Sequence, residues 1–137
     1  MKVLYLIGRI RFGGFFLTSG FLDLTHYRLF VPLVAANGVP FPRFAVILAS
    51  LLILLGGVSI VLGLWPRAGI CLIALFLVLV TPIAHAFWAH SNRQQHADDL
   101  NNFTKNMGLL GGRLMLLVIP QPWPYKLTSV IRRYTKC

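Results

Sequence analysis

Acidic residues are nearly absent from this sequence. It holds no glutamate and only three aspartates, Asp23, Asp98 and Asp99, against 13 lysines and arginines, so the net charge is +10. Charged residues make up 12% of the 137, about half of the roughly 25% usual in a soluble domain. A water-soluble fold of this composition would expose large apolar patches, which aggregate or bind membrane. Cysteine is scarce too. Cys71 and Cys137 form no CxxC and no metal-ligand spacing, which argues against a disulfide framework and a thiolate metal site. A Gly-rich phosphate loop, a GxSxG elbow and paired carboxylates are all missing, so nucleotide and hydrolytic chemistry are excluded for this chain alone. Nor does the basic excess signal nucleic acid. The basic residues flank apolar runs, and no aromatic-plus-basic surface is left once those runs are removed.

What is present is apolar length. Hydrophobic residues make up 57% of the chain, and mean hydropathy is +0.74. The pattern predicts an all-α integral membrane protein, a four-helix bundle with one transmembrane domain over residues 1–125 and a basic tail over 126–137. The spans are expected at about 3–24, 44–64, 68–88 and 103–119, each close to the roughly 20 residues a bilayer requires. Arg9 and Arg11 interrupt the first run and no small-residue cleavage site follows, so it reads as a retained span rather than a signal peptide. Between the first two spans, Pro32, Asn37-Gly38, Pro40 and Pro42 break a segment too short to cross, predicted as interfacial or re-entrant. The polar stretch "AHSNRQQHADDLNN" at 89–102 reads as a loop. Cys71, inside an apolar run, reads as a small packing residue.

Orientation follows from the basic residues. Lys2, Arg9, Arg11, Arg67, Lys126, Arg132, Arg133 and Lys136 fall on the side of the termini, against Arg28, Arg43, Arg93 and Lys105 on the other. Both termini are expected in the cytoplasm of a bacterial-type inner membrane, with 89–102 outside. The tail "VIRRYTKC" is suited to anionic lipid or a partner.

Ionisable groups within spans are the informative ones, because isolated exposure to lipid costs several kcal/mol or more. Arg9, Phe16 and Asp23 recur at seven-residue spacing and share nearly one face of the first helix. On the fourth, Asn106, Leu110, Arg113 and Leu117 form a second stripe. Arg113 lies roughly 15 Å below the outer end of its span at about 1.5 Å per residue. Arg9, Asp23, Asn106 and Arg113 are therefore expected to form a buried polar network, in which Asp23 either pairs Arg113 or is an interfacial carboxylate that ends its helix. His85 and Trp88, at i and i+3, together with Phe103 and Lys105, are suited to a quinone head group or other ligand; an aromatic belt with a hydrogen-bonded histidine is the alternative. The spacing of His85, His90 and His96 fits no metal site. Gly20, Gly57, Gly63, Gly111 and Gly112 are read as points of close helix approach.

The chain resembles the DoxX family of small four-helix membrane proteins over about residues 5–120. The matching elements are Arg9 in "LIGRI", "FFLTSG" ending at Gly20, "AANGVPFP", "LLGGVSIVLGLWPR", and the run from His85 through Trp88, Phe103, Lys105 and Asn106 to Gly111-Gly112. The resemblance implies an inner-membrane bundle tied to redox metabolism, some relatives being the small subunit of thiosulfate:quinone oxidoreductase. Three positions depart from the family pattern. Asp23 stands where relatives usually carry Lys, an apolar residue near Ile53 where they often carry Glu, and Arg113 where they are apolar. A Gly-rich Ser-Leu-Asp ending is replaced by "PQPWPYKL". The reading preferred is an accessory or anchoring membrane subunit of a redox complex, its partner enzyme supplying any flavin, metal or nucleotide site. The alternatives are a quinone-binding subunit in its own right, and a small solute or proton pathway along Arg9, Asp23, Asn106 and Arg113.

Overall fold

A computed structural model describes residues 1–127, and every regular element among them is helical. The helices are α1 (Lys2–Thr25), α2 (Tyr27–Ala36), α3 (Pro42–Leu62), α4 (Pro66–Ala84) and α5 (Arg93–Leu117), with a 3-10 turn at Phe87–Ala89 before the last. Two stretches are long and apolar enough to cross a membrane: Pro42–Leu62, and Pro66–Ala89, which includes the turn after α4. Leaving aside Lys126, most of the basic tail at 126–137 lies outside the described residues.

Sequence chemistry explains where these helices start and stop. Pro42 and Pro66 open α3 and α4 in the first turn, where a missing N–H costs nothing. Gly63 ends α3 in the left-handed region at φ 67°, the usual glycine C-terminal stop. Ser59 then turns its hydroxyl onto the carbonyls of Leu64 and Trp65 and closes the link to α4.

The region expected as a loop at 89–102 is mostly helix. The Asn92 side chain accepts hydrogen bonds from the backbone N–H groups of Gln94 and Gln95, so α5 begins at Arg93 and runs unbroken through the expected fourth span. Asn92 followed by Gln95 is a capping arrangement that satisfies otherwise orphaned donors. Prolines and glycine break the chain around the expected interfacial segment, yet Tyr27–Ala36 within it is a ten-residue helix that accommodates Pro32 and buries no residue fully.

α3 is the central element. One side packs against α1 and the other against α4, while α5 lies on α4. Small residues set these approaches. A β-carbon at Gly20 would meet Leu54 N at 2.8 Å and Ser50 O at 2.9 Å, and one at Gly57 would meet Leu17 N at 2.7 Å and Gly13 O at 2.9 Å. Gly56 and Gly69 do the same for α3 and α4, each with the other's carbonyl oxygen within 3.0 Å of its missing β-carbon. The core between the seams holds Phe16, Ile53, Ile60, Ile70, Ile73 and Trp123. Gly20 and Gly57 thus act as predicted, whereas Gly63 serves as a helix stop. Gly111 and Gly112 contradict the expectation, because both are exposed and have nothing within 4 Å of where a β-carbon would stand. Cys71 is exposed as well rather than packed.

Candidate functional site

Of the four residues predicted to form one polar network, Arg9, Arg113 and Asn106 occupy three separate places, and none of them bonds Asp23. Arg9 is buried at the end of the molecule that carries Trp65 and Gly63. Its two terminal nitrogens donate to the carbonyl oxygens of Pro124 at 2.8 Å and Tyr125 at 3.0 Å. The guanidinium therefore ties the beginning of α1 to the segment that follows α5. Gly63 makes room for this contact, since a β-carbon there would lie 2.8 Å from Arg9 Nη1.

Arg113 is fully buried, and none of its three side-chain nitrogens has a hydrogen-bond partner. Its guanidinium carbon lies 3.6 Å from the centre of the Phe16 ring and 5.0 Å from that of Phe12. A cation over an aromatic face is stabilised by the ring quadrupole, and planar Arg stacks well in this way. The expected Asp23–Arg113 pair is not made. Asp23 is seven residues beyond Phe16 on α1, about 10 Å along the axis, and the phenylalanines occupy the space that a carboxylate would need. Asn106 belongs to a third place. Its side-chain amide donates to the Thr81 hydroxyl at 3.1 Å and joins α5 to a fully buried residue of α4. The stripe from Asn106 to Arg113 does face inward, as its spacing implies, but it meets α4 at one level and α1 at another.

At the opposite end of α4 the structure assembles what the sequence only partly suggests. His85 Nδ1 is 3.1 Å from one oxygen of Asp99, and His90 Nε2 is 2.9 Å from the other. The carboxylate lies on the first turns of α5, so the N-terminal extension of that helix delivers the bridging acid. A carboxylate only accepts, so the imidazole nitrogens facing it carry the hydrogens. In the neutral His85 ring this leaves Nε2 as an acceptor, oriented by Asp99 as a second partner orients a working histidine.

An aromatic group lies next to it in the chain, between His85 and His90 and along α5. Phe87 meets Trp88 at 5.0 Å, His96 at 5.5 Å and Phe103 at 5.4 Å, while Trp88 and Phe103 are 6.0 Å apart, all edge-to-face. Trp88 and Phe103 are in ring contact, while His85 is held by Asp99 two residues before Phe87. Lys105 is exposed, two residues past Phe103 and on a different side of α5. Sequence reading missed Asp99 and His90 as the centre of the cluster, because it placed both in a loop with no fixed facing. The Asn92 cap was the available signal. Trp123 was also missed: it is a core residue although it stands among prolines. Among the described residues no group of three or more His, Cys, Asp or Glu is placed to hold a metal ion. On α2, outside the spans, Arg28 Nε donates to the Tyr27 hydroxyl at 3.4 Å, and this bond with the nearby charge holds the phenol below its ordinary range.

Comparison with known proteins agrees with this picture of a membrane helix assembly. The chain is 28% identical over 116 residues to the inner membrane protein YphA of Escherichia coli (strain K12), spanning 85% of this chain and 82% of that relative. No solved structure matches it. The family model for DoxX matches residues 4–90, from the first residues of α1 to His90 in the aromatic cluster. This chain is a member of the DoxX family of membrane proteins.

Proposed function

We infer that the chain is an accessory subunit of a redox complex in the inner membrane, with α1 and α5 spanning beside α3 and α4. In that arrangement both termini share a side, and the distribution of basic residues favours the cytoplasm for it. The observation that carries the reading is the outward apolar surface. Large side chains such as Ile7 and Phe15 on α1, Leu48 and Leu55 on α3, Leu75 and Leu79 on α4, and Leu114 on α5 are exposed. A contact surface of that kind faces sideways, where lipid or another membrane subunit meets it. Extraction in mild detergent, followed by identification of every co-purifying protein, tests the reading. Recovery of an oxidoreductase is expected; recovery of the chain alone under conditions that preserve other membrane complexes counts against it. Labelling of cysteines introduced near each terminus tests the orientation.

A second reading is favoured by the cluster at the His85 end. His85 Nε2 is left as an acceptor two residues before Phe87, whose ring meets those of Trp88 and Phe103, a set of groups suited to a hydroxylated aromatic ring such as a quinol. In that case purified protein carries bound quinone, and His85→Leu lowers the amount. Preparations equally free of quinone before and after the substitution argue against it.

A further inference from the structure

Between α1 and α3 the chain makes a helix that the core hardly uses. α2 packs mainly on α3, and Tyr27, Val31 and Val34, which share one helix face, are partly buried there. On the other side Leu29 and Leu33 are 68% and 62% exposed. Ten residues reach only about 15 Å, half the hydrocarbon thickness of a bilayer, so α2 does not cross it.

The basic residues of this region converge. Arg28 follows Tyr27 at the start of α2, and its Nε donates to the Tyr27 hydroxyl at 3.4 Å. Its guanidinium carbon lies 5.9 Å from the centre of the same ring. From the first turn of α3 the charge of Arg43 acts on that phenol as well. Packing α2 on α3 thus gathers two cations around one hydroxyl. Both arginines are exposed, and among the described residues neither has a carboxylate within 4 Å. Tyr27 accepts from Arg28 and still has its own hydrogen to donate, so it neutralises neither charge. An anion with several acceptor oxygens offsets both, and planar guanidinium groups match phosphate with paired bonds. Such an anion reaches them directly, because their side chains stand at the surface.

The apolar surroundings identify the source of the phosphate. Arg28 sits about 100° around the helix from Leu29, at the edge of the exposed apolar face. Arg43 lies between Phe41 and Phe44 in the chain, a stretch in which both of these rings are exposed. A soluble anion makes no use of leucine and phenylalanine side chains. A lipid takes its head group on the arginines and its acyl chains along the apolar residues. Basic and aromatic side chains bordering an apolar face are suited to a helix lying in the head-group layer.

We propose that Arg28 and Arg43 bind the phosphate of an anionic phospholipid, with the Tyr27 hydroxyl as a further donor and Leu29, Leu33 and Phe44 against its acyl chains. The proposal rests on the membrane placement of the helices and is independent of any redox partner.

The test uses full-length protein carrying Cys71→Ala, Cys137→Ala and Pro32→Cys, with an NBD fluorophore on the new cysteine, one turn from Arg28. It is reconstituted in phosphatidylcholine vesicles containing nitroxide-labelled phosphatidylglycerol or nitroxide-labelled phosphatidylcholine. The labelled phosphatidylglycerol is expected to quench at a mole fraction lower by about five- to thirtyfold, the scale of one and two basic residues acting on anionic lipid. Arg28→Gln and Arg43→Gln each reduce the preference, and the double variant abolishes it. Both side chains are exposed, so the substitutions leave the packing undisturbed. Arg67→Gln, equally exposed at the other end of the bundle, retains the preference. Equal quenching by the two lipids overturns the proposal, as does a preference that survives the double variant. Loss of the preference on adding inorganic phosphate at constant ionic strength assigns the arginines to a soluble anion and overturns it too. Failure of both lipids to reach the label removes α2 from the head-group layer and the proposal with it. The accessory-subunit reading is then still decided separately, by the proteins that co-purify.

Discussion

The two flanks of α1 use the same residue type for opposite ends. Toward α3, Gly13, Gly20 and Gly57 let backbones touch, and no side chain larger than hydrogen fits at Gly20 or Gly57 without moving main chain. Toward α5, Gly8 and Gly112 border a space that none of the described residues fills. Glycine is a packing device on the first flank and a cavity-forming device on the second. A small residue therefore specifies only that something else can come close; whether that is a helix or a ligand depends on what the facing element presents.

Substitutions can break this contrast, beginning with the sealed flank. Gly57→Leu sets a side chain against the backbone of α1, and a loss of about 3 kcal/mol is expected, read from denaturant titration in detergent micelles. A variant as stable as the parent would show that the seam is not the tight contact described. Next in size is Arg9→Leu, which strips the carbonyls of Pro124 and Tyr125 of their donors. About 2 kcal/mol should be lost, with faster proteolysis after α5 as an independent readout.

The two buried arginines are expected to respond in opposite directions. Arg113 has ring contacts but no hydrogen-bond partner, and the cost of burying its charge exceeds a cation–π gain of about 2 kcal/mol or less. Arg113→Met should therefore raise the denaturation midpoint, by about 1 kcal/mol in stability. A large loss would reveal a counter-charge. On the open flank Gly111→Ala should also stabilise, by roughly 0.5–1 kcal/mol, because it improves helix propensity where no neighbour is crowded. The smallest effect is a coupling. In a double-mutant cycle, Asp23→Asn and Arg113→Met should add to within about 0.5 kcal/mol, as separated residues do. Stronger coupling would restore the ion pair that the ring stacking replaces.

Much of the fold can be read from composition. α3 and α4 are runs of apolar residues bounded by proline and glycine, and their expected limits at 44–64 and 68–88 lie within a few residues of Pro42–Leu62 and Pro66–Ala84. α5 was harder, because hydropathy marks only its apolar half. The polar half is helical on account of Asn92, a capping signal that hydropathy does not register.

For the site, spacing along one helix was reliable and pairing across helices was not. The stripe holding Asn106 and Arg113 faces inward as its period requires. The Asp23–Arg113 pairing combined one face of each helix with depth, and neither says which way two helices are turned toward each other. The Phe12 and Phe16 rings decide that, and their facing follows from the α1–α3 seam. Gly111-Gly112 misled for the same reason: a glycine pair shows that a surface is small without showing which neighbour it faces.

The bridge from Arg9 to Pro124 and Tyr125 joins residues more than 110 positions apart. Synthesis runs from the N-terminus, so Arg9 leaves the ribosome long before its acceptors exist. Throughout that interval its guanidinium must be satisfied by water or head groups. The latch closes only after all five helices have been made, and any mutation that delays α5 leaves the first helix waiting with it.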